Sequence, residues 1–261
     1  MSFFRVIMPN YNNSEWLEKS IGSVNGQTFK DWRLYFVDDM STDDSWSKAW
    51  DITDSNRTCL YKNPQKRWNG GSRNMGLNLP CISEYTLFLD SDDWFHDDNV
   101  FQDLHDFIVV HNYPDCIRLP YNVVYDGDNT VNVMLDDSTI ERLVNSQFVA
   151  CWSKCVKSDL VPLFPENTLM EDAVQHIKQC DLIKTLEVFT DRPVYTHNRN
   201  NANSCSIEKN HGLQNRKWET SMYRHMADLL ELEVEHDYCK RQRDIRAERC
   251  LQNIKQGKFI Q

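Results

Sequence analysis

The 261-residue sequence has no CxxC pair, no excess of basic residues and little alanine. It also has no apolar run approaching about 18 residues, the length a membrane-spanning helix needs. Each lack excludes something. Without CxxC units a zinc ribbon has no building block. The nine cysteines, at 59, 81, 116, 151, 155, 180, 205, 239 and 250, are odd in number and irregularly spaced. They read as free thiols of a reducing compartment, not as a disulfide framework. The chain opens directly into a strand-like run, so no secretory segment is expected and the expected location is the cytoplasm. A net charge of −10 excludes a protein that coats nucleic acid by bulk charge alone.

The acid is unevenly placed. Residues 1–235 carry 22 basic and 36 acidic side chains, whereas residues 236–261 carry seven and three. Phe3–Met8, Arg33–Val37, Thr58–Tyr61 and Tyr85–Leu89 are short apolar runs that predict strands. Helices are predicted between them: Trp16, Leu17, Ser20, Ile21 and Val24 at helical spacing, a capped start at Thr42–Ser45, another near Ser72, and Asn99–His111. Strand and helix alternate up to residue 112, the pattern of an α/β fold with a mostly parallel central sheet flanked by helices. Beyond it, Ile117–Tyr125 and Val131–Leu135 flank Asp126-Gly127-Asp128-Asn129 as the arms of a hairpin would. Phe148–Val156 predicts a strand, Glu171–Leu182 a helix, Val194–His197 a last strand, and the rest from Gly212 is helix-forming.

In such sheets ligands bind outside the carboxyl ends of the strands. Three of those ends carry Pro9-Asn10-Tyr11, Asp38-Asp39 and Asp90-Ser91-Asp92-Asp93. Three carboxylates in four residues repel one another unless a cation or several donors compensate. Mg²⁺ or Mn²⁺ is the natural partner, because it prefers oxygen ligands and bridges protein carboxylate to substrate phosphate. A polar turn capping the next helix would use one of these acids at most.

At this point the chain resembles the inverting, nucleotide-sugar-dependent glycosyltransferases of family 2, which share the GT-A fold. The resemblance covers residues 3–205 and rests on six pieces in family order. They are Val6–Asn12, Ser20–Phe29, Phe36–Asp43, Gly71–Gly76, Leu87–Asp93 and Met170-Glu171-Asp172. It implies a GT-A domain over 1–206, with 1–112 holding the nucleotide sugar and 113–206 facing the acceptor. A helical C-terminal extension follows over 207–261.

The resemblance also implies roles. Pro9, Tyr11 and Asp39 correspond to the nucleobase pocket, and Arg73, at a helix start, to a further nucleotide contact. Asp90 corresponds to the residue near ribose and metal and Asp92 to the direct metal ligand. Asp93 is a second ligand or a support for the loop. Asp172 corresponds to the general base, with Glu171 beside it. Acids at a helix N-terminus are otherwise commonplace, because the macrodipole favours them there. Trp152 matches a segment lining the acceptor side, with a core tryptophan the alternative. Tyr195–Ser206 resembles a late loop over the diphosphate, in which Arg199 would contact a phosphate and His197 add a metal ligand; a solvated loop is the alternative for both.

The implied donor is a UDP-sugar, the cofactor Mn²⁺ or Mg²⁺, and the family-default acceptor a saccharide. A second acceptor fits the composition. Twenty-three asparagines against six alanines suit an AT-rich genome such as that of many large phages, some of which glycosylate hydroxymethylated bases in their DNA. The basic segment Lys240-Arg241-Gln242-Arg243, with Arg246 and Arg249, would then follow the DNA backbone, unless it is simply a solvated helix face. A catalytically inactive nucleotide-sugar-binding module is the reading outside enzymes. Aspartate-nucleophile phosphatases also use D-x-D after a strand, but on the first strand and followed by x-Thr, where this chain has Trp94.

Overall fold

Phe4, Val6, Ile7 and Met8 in strand β1 (Ser2–Asn10) are all fully buried, as a strand covered on both faces requires. The computed structural model describes residues 2–256 except 81, 126–128, 135–138, 147–149, 167, 169–170 and 202–210, and gives only the backbone of 211–219. After β1 come α1 (Leu17–Asn25), β2 (Trp32–Asp38), α2 (Ser45–Ile52), β3 (Thr58–Lys62), α3 (Trp68–Asn78) and β4 (Ser83–Phe88). A two-residue strand β5 (Trp94–Phe95) and α4 (Val100–Val110) complete this half. Strands β3, β2, β1 and β4 lie side by side and parallel, with Asn10 opposite Asp38, so the carboxyl ends share one edge.

The second half holds β6 (Cys116–Arg118), β7 (Tyr121–Tyr125), β8 (Asn129–Val133), α5 (Ile140–Asn145), β9 (Lys154–Lys157), α6 (Glu171–Leu182), β10 (Leu186–Val188) and β11 (Tyr195–Asn198). The main sheet reads β10-β6-β9-β4-β1-β2-β3, with β9 antiparallel to both neighbours. A second sheet, β5-β11-β7-β8, stands at the carboxyl edge. The hairpin arms pair antiparallel, Tyr125 opposite Asn129; the turn at 126–128 and Leu135 lie outside the described residues.

The strand expected over 148–156 is shorter. Residues 148 and 149 lie outside the described residues, and Cys151–Ser153 form a 3₁₀ turn before β9 begins. The Ser153 hydroxyl closes that turn on the Ala150 carbonyl at 2.6 Å, competing with the strand ladder.

Helices α7 (His211–Leu230) and α8 (Asp237–Lys255) end the described chain. Leu229, Leu232, Val234, Cys239 and Ala247 share a core with Cys116, Val156, Val174, Ile177 and Cys180, so these helices cover the far edge of the main sheet. That packing spends part of the tail's charge. Arg243 donates to the Leu232 carbonyl and Arg246 to that of Ser146, while Lys240 pairs with Asp237. The exposed face of α8 interleaves Arg241, Arg249 and Lys255 with Asp237, Asp244 and Glu248. The seven described cysteines are free, six of them buried. No described helix is long and apolar enough to cross a membrane.

Candidate active site

Leu89, one residue beyond β4, donates its N–H to the Ile7 carbonyl, which carries the main-sheet pairing to the threshold of Asp90. The next four residues form the floor of the site. Asp93 is buried and accepts from the Tyr195 hydroxyl at 2.6 Å, the Asn198 N–H at 2.7 Å and His197 Nδ1 at 3.2 Å. Three donors on one carboxylate make Asp93 the support that ties the Asp90–Asp93 turn to β11. The Tyr195 hydroxyl in turn accepts from the Asp90 N–H at 3.1 Å.

Asp92 is held differently. Asn201 donates to its Oδ2 at 2.7 Å and reaches Asn13 at 2.9 Å, while Asn13 donates to Ser91 at 2.8 Å. Burial, then the charges of Asp93 and Asp90, push the Asp92 carboxyl up to about 7.

Arg73 joins this floor to the opposite wall. It projects from α3, only 2% exposed, and its Nη2 donates to Asp90 Oδ1 at 2.8 Å. Its Nη1 donates to Glu171 Oε1 at 2.7 Å and approaches Asp172 Oδ1 at 3.5 Å. Glu171 and Asp172 open α6, so residues 17 and 99 positions from Arg73 meet on one guanidinium. Of the α6 pair, the Glu171 side chain is 7% exposed and that of Asp172 27%. Asp172 faces the cleft; Glu171 faces the protein. Burial raises both carboxyls above the ordinary range, against the pull of Arg73.

The sequence pattern described as Glycosyl transferase family 2 matches residues 5–150, more than half of the chain. The chain belongs to glycosyltransferase family 2. Among curated relatives, the poly(ribitol-phosphate) beta-N-acetylglucosaminyltransferase TarP of Staphylococcus aureus is 31% identical over 153 residues, 56% of this chain and 45% of TarP. The UDP-Glc:alpha-D-GlcNAc-diphosphoundecaprenol beta-1,3-glucosyltransferase WfaP of Escherichia coli is 31% identical over 105 residues, 40% of this chain and 41% of WfaP. The chain spans less than half the length of either, and 18% of an uncharacterized glycosyltransferase of Rickettsia felis.

Among solved structures, S. aureus TarS 1-349 in complex with UDP-GlcNAc superposes with a TM-score of 0.73 at 20% identity, over 98% of this chain and 72% of that one. The mannosyltransferase PcManGT from Pyrobaculum calidifontis, in complex with GDP-Man and Mn²⁺, gives 0.63 at 13% identity, over 97% and 73%. These likenesses establish the GT-A fold.

Several side chains expected to face a donor are engaged within this family 2 chain. Asp39 Oδ1 accepts from Asn63 and the Arg67 N–H, and its Oδ2 accepts from the Trp68 N–H and pairs with Lys66 at 3.2 Å. With two donors on each oxygen, Asp39 anchors the start of α3. Met40 and Trp68, on either side of these bonds, both take positive φ, the strained conformation that functional loops retain. Pro9 is the penultimate residue of β1, and Tyr11 just beyond the strand is 44% exposed with the Lys66 ammonium 2.8 Å from its ring centroid.

Arg73 is likewise buried against carboxylates. His197 Nδ1 binds Asp93. Burial alone would lower its pKa; the Asp93 carboxylate outweighs that and holds the imidazole above its ordinary value. Arg199 is exposed, close enough to His197 for its charge to oppose that rise. Trp152 is 4% exposed and stacks on Tyr195 at 4.3 Å and 5°, so it belongs to the core. The loop residues after Asn201 lie outside the described residues, as does Met170.

Asn201 and Asn198, which donates to the Asp92 carbonyl at 3.1 Å, are site residues the sequence does not single out. Their only trace is the asparagine density of Asn198–Asn203.

The donor set suits a hard divalent cation. Among the described residues no three of His, Cys, Asp and Glu form a cage. Mg²⁺ and Mn²⁺ are commonly held by one or two carboxylates and completed by substrate phosphate. Asp92, its carboxyl raised by burial and then by Asp93 and Asp90, and Asp90, still 27% exposed, are such a pair.

Proposed function

We propose that the chain is an inverting glycosyltransferase that moves a sugar from a nucleotide diphosphate sugar, a UDP-sugar, to a saccharide hydroxyl. Asp172 is its general base. The observation that carries this reading is the asymmetry of the α6 pair: Glu171 is buried on Arg73, while Asp172 opens on the cleft beside the same guanidinium that holds Asp90.

Asp172 takes the proton of the acceptor hydroxyl at its exposed oxygen as that hydroxyl attacks the anomeric carbon from the face opposite the leaving diphosphate. One displacement inverts the configuration. Arg73 favours the ionised form of the base before the attack, and Asp172 becomes neutral as it takes the proton. Tyr11 and Lys66 offer the nucleobase a ring and a cation, and Arg199 is available to a phosphate. Asp92 and Asp90 would hold Mg²⁺ or Mn²⁺, whose charge stabilises the leaving diphosphate.

A UDP-sugar is favoured because WfaP is a UDP-Glc-dependent glucosyltransferase and TarS is seen in complex with UDP-GlcNAc, though PcManGT was solved with GDP-Man. A saccharide acceptor is favoured over DNA because the tail's cations are partly spent inside the fold and otherwise interleaved with acids. The division at residues 112 and 206 is part of the same proposal.

Asp172→Asn tests it. UDP affinity, measured by calorimetry with Mn²⁺, should stay within about threefold, and turnover should fall by about a thousandfold, the loss expected when a base is removed. Undiminished transfer would reject Asp172 as the base.

A further inference from the structure

Arg73 matches the family's nucleotide-contact position, yet its geometry serves something else. A nucleotide contact must meet solvent before the donor arrives, and Arg73 is 2% exposed. Its two terminal nitrogens are committed to acids from opposite sides of the cleft: Nη2 to Asp90 at 2.8 Å, Nη1 to Glu171 at 2.7 Å and to Asp172 at 3.5 Å. The guanidinium carbon stands 5.4 Å from the centre of the Phe164 ring.

The backbone around it is built for this reach. A Cβ on Gly70 would collide with the Pro165 carbonyl, so the segment leading into α6 lies directly against the first turn of α3. Asn74 fastens that segment, donating to the Phe164 carbonyl at 2.9 Å and accepting its N–H at 2.8 Å. The ion pairs therefore join elements already locked together. Burying an arginine is costly unless it is paired; both terminal nitrogens are, while its buried Nε has no hydrogen-bond partner.

We propose that Arg73 is a positioning residue. Its rigid fork fixes the Asp172 carboxylate toward the acceptor and couples that base to Asp90 on the donor side, and it makes no contact with the nucleotide. The proposal rests on Asp172 being the base. Lysine carries the same charge but presents a single point, which cannot span acids held by two different nitrogens.

Arg73→Lys separates the alternatives. Misplacing a reacting group by about 1 Å costs about a hundredfold, so kcat should fall by about that factor with the UDP Kd within about threefold. In Arg73→Ala, added guanidinium ion should restore part of kcat. A nucleotide contact predicts the opposite split: UDP binding weakened more than about tenfold with kcat largely kept, which would overturn the proposal. Unchanged values for both would overturn it too.

A melting-temperature cycle over Arg73→Lys, Asp172→Asn and the double variant needs no substrate. Non-additive shifts are expected if Arg73 holds Asp172, and additive shifts would refute the link even if no donor is ever turned over. Failure of the wild-type chain to bind or hydrolyse any nucleotide sugar, with the cycle still non-additive, would instead reject the glycosyltransferase reading.

Discussion

Replacing Asp92 by asparagine should make the metal-free protein more stable while abolishing its activity. The Asp92 carboxyl is raised from 3.8 to about 7 by burial and by Asp93 and Asp90. In the folded state it therefore holds a proton that the unfolded chain has already released, and stability falls as pH rises through that window. Three pKa units at about 1.4 kcal/mol each set an upper limit of about 4 kcal/mol. Relaxation of the loop and the high effective dielectric of real sites reduce this to roughly 1–2 kcal/mol.

Asparagine does not titrate, and its carbonyl still accepts the Asn201 bond. At about 2–4 °C per kcal/mol for a domain of this size, Asp92→Asn should raise the melting temperature by roughly 2–8 °C near pH 8 in chelator. The gain should shrink by roughly half or more near pH 5, where the unfolded-state carboxylate is closer to its own pKa. With Mn²⁺ and UDP present the order should reverse, because only the wild type gains a bound ligand. An equal or lower melting temperature for Asp92→Asn near pH 8 in chelator would refute the charge argument for this loop.

Other outcomes follow from the same geometry. Cys151 lies close enough to Asp172 to favour its ionised carboxylate; Cys151→Ser, which keeps a donor, should hold kcat within about threefold, whereas Cys151→Val should lower it by about tenfold at unchanged UDP affinity. Asn201→Ala frees Asp92 from its clip and should raise the Mn²⁺ concentration for half-maximal activity by about tenfold, as loss of an outer-shell partner does elsewhere. Arg241→Ala with Arg249→Ala should leave transfer to a saccharide unchanged in steady-state assays, and the wild type should show no salt-dependent retention on duplex DNA.

Much of the parallel half of the fold is legible in the chain because each strand is an apolar run closed by a polar residue, and β1, β2 and β3 pair in sequence order, although β4 returns to β1 from some 80 residues away. The acids at the strand ends are legible for the same reason. What the pattern hides is pairing over distance. The sequence places a helix start near Ser72 and so suggests an anion at Arg73, but α3 begins at Trp68 and Arg73 lies in its second turn; nothing in its surroundings announces Glu171 some 98 residues later.

Asp39 follows a strand like a ligand-binding acid, but the Arg67 and Trp68 amides that fill it are backbone groups, visible only once α3 is placed. Asp92 and Asp93 are adjacent in sequence yet face opposite ways, one clipped by Asn201 and the other buried under β11. The basic tail reads as a stripe until α8 docks and turns Arg243 and Arg246 inward.

The stereochemistry of the released sugar tests the proposed mechanism most directly. With an α-linked UDP-sugar, Mn²⁺ and no acceptor, water in the acceptor position should be activated by Asp172. Proton NMR taken before mutarotation should then show the β anomer first, and Asp172→Asn should suppress it. Initial release of the α anomer would contradict a single displacement with Asp172 as its base.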